Sequence, residues 1–333
     1  MKLRFAFAAA VAASVLASCS KTVDEEMPQQ EKETARLNVN IAYGHTKATG
    51  TPVDDKITSL QVLSFGTGDL LDGYVSVTNT NEVSLDIPKG PKLIHALVNA
   101  PAMTDCSTYA DFKARISDLK HNNPKAMVME GWDGETVEKD FTVTRPVKRF
   151  ASRITLVSVK NDMEYEYLRN KTFKLMRAYL INVPGDMEFT GAFKEENKRP
   201  APKVWYNKRA YRDSDNVGQV TLSDMSGTVV PYGESYSVPH YLYSYANPTE
   251  QDSSSETWCA RRTRLVVEAN IGDKLYYYPV TLPILKQNTE YLVNLTVTQP
   301  GSTDPDIPYT EYSAAATIEV VEWADGDDIN ATI

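Results

Sequence analysis

The chain has 333 residues, more than a single hydrophobic core usually organises, so its length predicts two domains. Lys and Arg together number 35, Asp and Glu number 44, and the formal net charge is −9. Because binding to a phosphate backbone requires clustered positive charge, this balance argues against nucleic acid as a partner.

The first 18 residues have the pattern of a secretory signal peptide. Lys2 and Arg4 precede an apolar run that is too short for a membrane-spanning helix, which needs about 20 residues. The run ends in LASC (16–19), which resembles the lipobox of bacterial lipoproteins, where the cysteine receives a lipid and becomes the first residue. We therefore predict a signal peptide over 1–18 and a lipid on Cys19 that holds the chain on the outer membrane. An ordinary signal peptide with an incidental cysteine is the alternative.

Residues 19–36 are polar and predict a tether or a propeptide-like segment. The acidic cluster DEE (24–26) resembles the export signal that carries lipoproteins of Bacteroides-like bacteria to the cell surface. The alternative is a solvated, flexible linker, and the two interpretations are compatible. The resemblance implies a surface-exposed lipoprotein.

Short segments of alternating apolar and polar residues run through the rest of the chain. This period of two, together with many Tyr, Val and Thr residues and regular turn signals, predicts an all-β fold of antiparallel sandwiches. The segments are LNVNIAY (37–43), LQVLSF (60–65), YVSVTN (74–79), EVSLDI (82–87), FTVTRPV (141–147), RITLVSV (153–159), YLVNLTV (291–297) and TIEVV (317–321).

One helix is predicted, over residues 107–122. Tyr109, Phe112, Ile116 and Leu119 recur at spacings of three and four, which places them on one face of a helix. Thr108 and Asp111 have the spacing of a capping box, and the letters NNP (122–124) form a stop signal. The stripe indicates packing against a sheet.

The sequence offers no convergent group of catalytic or metal-binding residues, so we expect neither an enzyme nor a cofactor. The four histidines are scattered, and His95 lies in the apolar run LIHALV, which favours a hydrogen-bonded core residue. The acidic loop DSDNVG (213–218) has partial calcium-loop spacing, but Val217 stands where an oxygen ligand belongs. We therefore interpret it as a polar loop and expect no metal.

Cys106 and Cys259 are the cysteines that follow Cys19. They could pair in an oxidising compartment, but we expect two buried free thiols, because the two residues fall in different predicted domains.

Several longer segments resemble fimbrillins, the FimA-like pilin family of Bacteroides and Porphyromonas relatives. The resemblance is spread over most of residues 37–333, and its segments occur in the family's order. They are KLIHALVNAP (92–101), MVMEGW (127–132), VTRPVKRFASRITLVSV (143–159), FKLMRAYLINVPG (173–185), YYYPVTLPILKQNTEYLVNLTVTQPGSTDP (276–305) and TIEVVEW (317–323).

This resemblance implies a transthyretin-like fimbrillin architecture of two tandem domains. The expected boundaries are 37–144 for the N-terminal β domain, which contains the helix, and 145–316 for the C-terminal β domain. It also implies a pilus stalk subunit that forms head-to-tail polymers with copies of itself and other fimbrial subunits, and that contacts host or bacterial surface ligands. In such pilins a protease removes an N-terminal strand, and the C-terminal strand of another subunit fills the groove.

Residues 317–333 are the candidate donor strand. After Trp323 the tail reads ADGDDINATI, and its last apolar residues alternate, which suits side chains that point into a groove. A frayed terminus is the alternative. The candidate donor residues are Ile318, Val320, Trp323, Ile329, Ala331 and Ile333.

The candidate processing sites are Arg36 and Lys32. The segment before Arg36 is polar and offers no clear apolar strand to remove, which departs from the stalk pilins. Two alternatives therefore stay open: an unprocessed anchor or tip subunit, and a monomeric surface lipoprotein that binds glycans through exposed Tyr and Trp side chains.

Overall fold

A computed structural model describes residues 33–42, 56–189, 201–252, 257–307 and 314–323. The described residues belong to one compact unit, and the division into domains at 144/145 stays a prediction. Cys19, Lys32, Ile329, Ala331 and Ile333 lie outside the described residues. Within the described part of the chain, no helix is long and apolar enough to cross a membrane.

The prediction of an all-β fold is confirmed, because most of the described residues lie in strands. The strands are β1 (Thr34–Ala42), β2 (Ser59–Phe65), β3 (Leu71–Thr78), β4 (Glu82–Pro88), β5 (Gly90–Val98), β6 (Ile116–Asp118), β7 (Met129–Val137), β8 (Phe141–Pro146), β9 (Lys148–Arg149), β10 (Ala151–Asn161), β11 (Phe173–Ile181), β12 (Val183–Pro184), β13 (Asp186–Glu188), β14 (Trp205–Tyr206), β15 (Leu222–Val229), β16 (Ser235–Tyr236), β17 (His240–Tyr245), β18 (Arg264–Ile271), β19 (Lys274–Thr281), β20 (Thr289–Val297) and β21 (Ala314–Glu322). The α-helices are α1 (Tyr109–Lys113), α2 (Glu166–Arg169) and α3 (Gly218–Thr221).

Two sheets from the first half of the chain enclose the smaller core. Sheet I has the strand order β3-β2-β5-β7-β9, and sheet II has the order β4-β1-β8. Because side chains alternate across a strand, β1, β4, β2 and β5 each send every second residue into the space between the sheets. The central members of this core are Leu37, Val39, Leu60, Val62, Ile87, Ile94 and Val98.

Two further sheets come from the second half of the chain. Sheet III has the order β16-β10-β20-β21, with β17 also paired to β10, and sheet IV has the order β15-β11-β18-β19. The large core contains residues of both sheets and continues to the other face of sheet I, where Leu63 and Leu97 contact it. Sheet I is therefore covered on both faces.

Sheets II and III are mixed, whereas the sequence analysis predicted antiparallel sheets; sheets I and IV are antiparallel throughout. β1 runs parallel to β8, and β10 runs parallel to β20. Parallel neighbours need long crossover connections, and in both pairs many residues separate the two strands. Alternation within a segment reports its buried face but not the direction of its neighbours, so this feature was not predictable from the pattern.

The prediction of a helix over 107–122 is wrong in length. The capping box between Thr108 and Asp111 is present, but α1 ends at Lys113. Ile116 belongs instead to β6, which pairs with β13, and its side chain is exposed. The backbone hydrogen bonds that β13 offers therefore replace those of a longer helix. Phe112 and Leu119 are nevertheless both buried in the large core.

His95 is a hydrogen-bonded core residue, as predicted. Its Nδ1 lies 2.9 Å from Oε1 of Glu130, and both side chains are fully buried. Burial lowers the pKa of His95 to about 3. The thiols of Cys106 and Cys259 are free, but only Cys106 is buried, so the prediction of two buried thiols is wrong for Cys259.

Candidate functional site

Strand β1 occupies the centre of sheet II. It pairs antiparallel with β4 on one side and parallel with β8 on the other. Ala35, Leu37, Val39 and Ile41 face the small core, and each is at most 5% exposed. Burying a large aliphatic side chain is worth about 1.5–3 kcal/mol. Without β1, sheet II would therefore keep an apolar groove between β4 and β8.

The outward face of β1 is polar and makes specific side-chain contacts. Asn38 lies directly opposite Ser84 of β4, whose hydroxyl donates to the Asn38 Oδ1 at 2.6 Å. The Asn38 amide nitrogen also lies 3.4 Å from the hydroxyl of Thr142 on β8. One asparagine thus links both neighbours of β1 across the solvent-facing side.

Arg36, a predicted processing site, lies within β1 itself. Its backbone N–H donates to Asp140 Oδ1 at 2.8 Å, and its guanidinium lies 3.5 Å from Asp86 on the surface. A cut after Lys32 or Arg36 would leave Leu37–Ala42 in the sheet. The groove would then stay filled, so neither position suits a cut that removes the strand.

Strand β21 contains two of the predicted donor residues, Ile318 and Val320, and lies at the edge of sheet III. It pairs antiparallel with β20 over its whole length. Ile318 is half-buried against the large core, whereas Val320 is 53% exposed. The strand thus belongs to the folded unit in this structure. The sequence analysis set the start of the segment at 317 and therefore missed the first residues of β21.

Trp323, which follows β21, is held in a closed site that we call the Trp323 site. Its ring is 1% exposed and stacks on Tyr243 at a centroid distance of 6.1 Å. The guanidinium carbons of Arg149 and Arg153 lie 4.7 and 4.6 Å from its ring centre. The Asn288 amide donates to the Trp323 carbonyl at 3.0 Å, and the Asn288 carbonyl accepts from the Trp323 N–H at 3.2 Å. This site holds the last residue of the described C-terminal segment in place.

A buried ion pair supports the Trp323 site from below. Arg153 donates through Nε and Nη2 to the two carboxylate oxygens of Glu290, at 2.9 and 2.7 Å. The Thr155 hydroxyl donates to the same carboxylate at 2.7 Å. Bidentate pairing of this kind fixes the guanidinium plane, so the cation that Trp323 contacts is held in one orientation.

A second buried charge cluster was missed by the sequence analysis. Asp306 is fully buried and accepts from Arg261 at 2.8 Å and from Arg264 at 2.5 Å. Arg264 also lies 2.5 Å from Asp252. The cluster ties the loop that follows β20 to the start of β18, so we interpret it as structural.

The aromatic runs that might have bound glycans lie largely inside the protein. Trp205, Tyr206, Tyr243 and Tyr278 are all buried. Three tyrosines that the sequence analysis did not single out are exposed instead: two lie at the start of α2, and the third lies in the connection between β15 and β16. These are Tyr165, Tyr167 and Tyr232. These tyrosines were not part of the aromatic runs that the sequence suggested, so their exposure could be recognised only from the fold.

The acidic loop at 213–218 has structural contacts. Asp215 accepts from the backbone N–H of Asn207 at 2.6 Å. Among the described residues, no group of three His, Cys, Asp or Glu side chains is placed to hold a metal ion.

These features define an all-β protein of packed antiparallel and mixed sheets, with an N-terminal strand inside one sheet and a C-terminal strand at the edge of another. Comparison with known proteins narrows this class. No protein-family model matches the chain. The chain is 23% identical over 372 aligned residues to the major fimbrium subunit FimA type-3 of Porphyromonas gingivalis, covering 93% of this chain and 94% of the relative.

Solved structures of fimbrial proteins have the same fold. A fimbrilin (FimA) of Porphyromonas gingivalis W83 matches with a TM-score of 0.64 at 16% identity, over 87% of this chain and 97% of that chain. The tip fimbrial protein Mfa3 of Porphyromonas gingivalis matches with a TM-score of 0.53 at 11% identity, over 87% of this chain and 100% of that chain. The predicted likeness to the FimA-like fimbrillins is thereby confirmed.

Proposed function

We propose that the chain is a structural subunit of cell-surface fimbriae and not an enzyme. The observation that carries the proposal is the position of β1: an N-terminal strand that supplies part of a core and lies between two other strands. The full-length similarity to a major fimbrium subunit supports the same function. The partners are other copies of this chain and other fimbrial subunits.

The subunits polymerise by strand exchange. When β1 leaves sheet II, β4 and β8 present unpaired backbone groups on both sides of an apolar groove, which is a template for an added strand. The C-terminal tail of another copy fills this groove. Because donor and acceptor lie on different surfaces of one chain, the contact does not close and builds a filament.

The cut that frees β1 falls after the strand, between Ala42 and the start of β2 at Ser59. The basic residues of that stretch are Lys47 and Lys56. Because Arg36 lies within β1, a cut after the strand is preferred to the cuts after Lys32 or Arg36 that the sequence suggested. Intact-mass measurement of subunits taken from polymers tests it. A mass that starts after Lys47 or Lys56 is expected, and polymer subunits that retain residues 34–42 would contradict it.

Before assembly the chain is an outer-membrane lipoprotein that is anchored through a lipid on Cys19 and exposed at the surface. The lipobox-like LASC (16–19) and the acidic cluster at 24–26 support this localisation. If the N-terminal segment is not removed, the same lipid makes the chain an anchor subunit at the base of a fimbria.

Immunogold electron microscopy of whole cells tests the function. An antibody against the folded unit is expected to label filaments along their length. Cells that lack the chain serve as the control. Label confined to the cell envelope, with no labelled filaments at normal expression, would contradict a stalk subunit and favour an anchor or a monomeric lipoprotein.

A second candidate function is glycan binding, which the exposed tyrosines favour. The rings of Tyr165 and Tyr167 stack at 5.8 Å, and Arg169 lies 4.5 Å from the ring centre of Tyr232. Fixed aromatic rings with polar neighbours suit the faces of sugar rings. A glycan array with the wild type and with Tyr167→Ala tests this: loss of a signal on substitution supports it, and no signal in either protein excludes it.

A further inference from the structure

A polar cleft of about 380 Å³ lies between the segment that follows β6 and the acidic loop at 213–218. Its volume is in the range of pockets that hold small ligands. Asp215 of that loop has a structural contact, whereas other polar residues of the loop line the cleft. The polar side chains that we consider are those of Lys120, Tyr211, Asp213, Asn216 and Gln219.

The first wall of the cleft is fixed by Tyr206 of β14. The Tyr206 hydroxyl donates to the carboxylate of Asp118, whose two oxygens lie at 2.9 and 2.8 Å. Asp118 accepts in turn from the backbone N–H of Lys120 at 2.9 Å. The Lys120 ammonium lies 4.8 Å from the centre of the Tyr206 ring. Lys120 is therefore held beside the cleft by two contacts with the same small group of residues.

The second wall is fixed by Asn207, the next residue along the chain, which is fully buried. Its side-chain oxygen accepts from the Arg212 N–H at 3.0 Å, and its own N–H donates to Asp215 at 2.6 Å. The Asn216 N–H donates to the Asp213 carbonyl at 3.0 Å and closes the turn between these two residues. Asp213 and Asn216 thus belong to a preformed loop, which loses little entropy when a ligand binds.

Tyr211 adds an aromatic ring to the second wall. The ring packs on Tyr179 at a centroid distance of 5.5 Å and lies 5.3 Å from the guanidinium carbon of Arg177. Burial and the neighbouring Asp213 carboxylate raise the pKa of the Tyr211 hydroxyl above its ordinary value. The hydroxyl therefore keeps its proton and serves as a hydrogen-bond donor.

The floor of the cleft is closed by residues whose contacts lie inside the protein. Val217 and Val220 are both buried. The Asn122 amide donates to the Tyr245 hydroxyl at 2.8 Å and accepts from the Val128 N–H at 3.0 Å. The groups that can bond to a ligand therefore come from the walls: an ammonium, a carboxylate, two amides and a phenol.

We infer that this cleft binds a neutral sugar unit. Sugar hydroxyls both donate and accept hydrogen bonds, so one ring can bond to ammonium, carboxylate and amide groups together, and its apolar face can lie on an aromatic ring. Among the described residues that line the cleft, the charged ones are Lys120 and Asp213, so their charges balance and favour a neutral ligand.

This site is separate from the exposed tyrosines considered above. Tyr211 contacts Tyr179 near the end of β11, whereas α2, with Tyr165 and Tyr167 at its start, directly precedes β11. The inference goes beyond the proposed fimbrial function and does not rest on it.

Saturation-transfer NMR with the purified full-length chain in detergent tests the inference. The probes, each at millimolar concentration, are the neutral sugars glucose, galactose, mannose, fucose, N-acetylglucosamine and N-acetylgalactosamine. N-acetylneuraminic acid and glucosamine are the charged comparisons. The variants are Asp213→Ala and Gln219→Ala, and the matched control is Asp273→Ala, which removes an exposed carboxylate from the turn between β18 and β19. Tyr167→Ala separates this cleft from the exposed tyrosines, and urea denaturation verifies that each variant is folded.

The expected result is transfer to at least one neutral sugar in the wild type and in Asp273→Ala. Asp213→Ala should weaken the apparent affinity about tenfold or more, because it removes a charged hydrogen-bond acceptor. Gln219→Ala should weaken it in the same direction, and because Gln219 is exposed, this variant should keep the wild-type stability.

No transfer to any neutral sugar overturns the inference. Transfer that Asp213→Ala and Gln219→Ala both leave unchanged overturns the site, and transfer that Tyr167→Ala alone abolishes assigns the sugar to the exposed tyrosines instead. Transfer confined to N-acetylneuraminic acid or glucosamine overturns the neutral class of ligand. The fimbrial function stands or falls separately, through the immunogold labelling of filaments.

Discussion

The guanidinium of Arg149 lies 4.7 Å from the ring centre of Trp323, so the residue that follows β21 packs on β9, the edge strand of sheet I. Arg153, two residues into β10 of sheet III, contacts the same ring at 4.6 Å. The Trp323 site thus joins residues from the N-terminal and C-terminal halves of the described chain.

Replacing Trp323 with Ala is expected to lower the free energy of unfolding by about 3–5 kcal/mol, as large-to-small changes at buried aromatic residues do. Trp323 is 1% exposed, and the substitution removes the ring that contacts the guanidinium groups of Arg149 and Arg153. Urea denaturation measures the change. Val320→Ala, on the exposed side of the same terminal segment, is the control and should change the value by less than about 0.5 kcal/mol. Equal effects of the two substitutions would contradict a closed Trp323 site.

The ion pair beneath that site gives a second prediction. Glu290→Gln should destabilise the protein by about 3–5 kcal/mol, because it leaves the buried Arg153 without a counter-charge. Adding Arg153→Met to that variant should recover part of the loss. Asp86→Asn, which breaks the exposed pair with Arg36, should cost less than about 1 kcal/mol. A double variant less stable than Glu290→Gln alone would argue against this explanation.

His95 predicts a pH dependence of stability. Burial holds its folded-state pKa at about 3, below the ordinary 6.5. Between these values the unfolded chain binds a proton that the folded protein does not, so stability that is fully present above pH 6.5 declines as the pH falls toward 3. His95→Gln removes this proton uptake and can still donate to Glu130. Its loss of unfolding free energy between pH 7 and pH 5 should be smaller than that of the wild type by about 2 kcal/mol. Parallel pH profiles would contradict a neutral, buried His95.

The tail can be tuned at Ala331. In the proposed strand exchange the tail fills the groove that β1 occupies in this structure, and the small side chain of Ala331 would leave part of that groove unfilled. Ala331→Val should therefore raise the temperature at which polymers dissociate in SDS, whereas Ala331→Asp should prevent assembly. Asn330→Gln, which alters a polar position of the alternating tail, is the comparison. Dissociation temperatures that are the same for Ala331→Val and the wild type would count against insertion of Ala331 into the groove.

The alternation of LNVNIAY (37–43) was enough to predict β1 and its inward face, because apolar and polar residues alternate when one face of a strand is buried. It could not reveal that β1 lies between β4 and β8, since strand order depends on distant parts of the chain. For the same reason the sequence favoured a cut after Lys32 or Arg36. Only the pairing shows that β1 lies inside sheet II, which is why the proposed cut falls after this strand.

Local patterns failed where tertiary contacts decided the outcome. The apolar spacing of Phe112 and Leu119 correctly marked them as core, yet β13 draws the intervening Ile116 into a strand. The arginines at 261 and 264 gave no sign that they converge on Asp306, which lies more than 40 residues away in sequence. Periodicity predicts which face of a helix or strand is buried, but it does not predict which distant residues that face contacts.

The most direct test of assembly through the tail compares the full-length chain with a variant that ends at Trp323, at matched surface levels. The truncation keeps β21 and the Trp323 site and removes only residues 324–333. Unboiled SDS gels of outer-membrane preparations should show a ladder of polymers for the full-length chain and a folded monomer for the truncated one. A ladder of equal length from the truncated chain would contradict donation of the tail between copies.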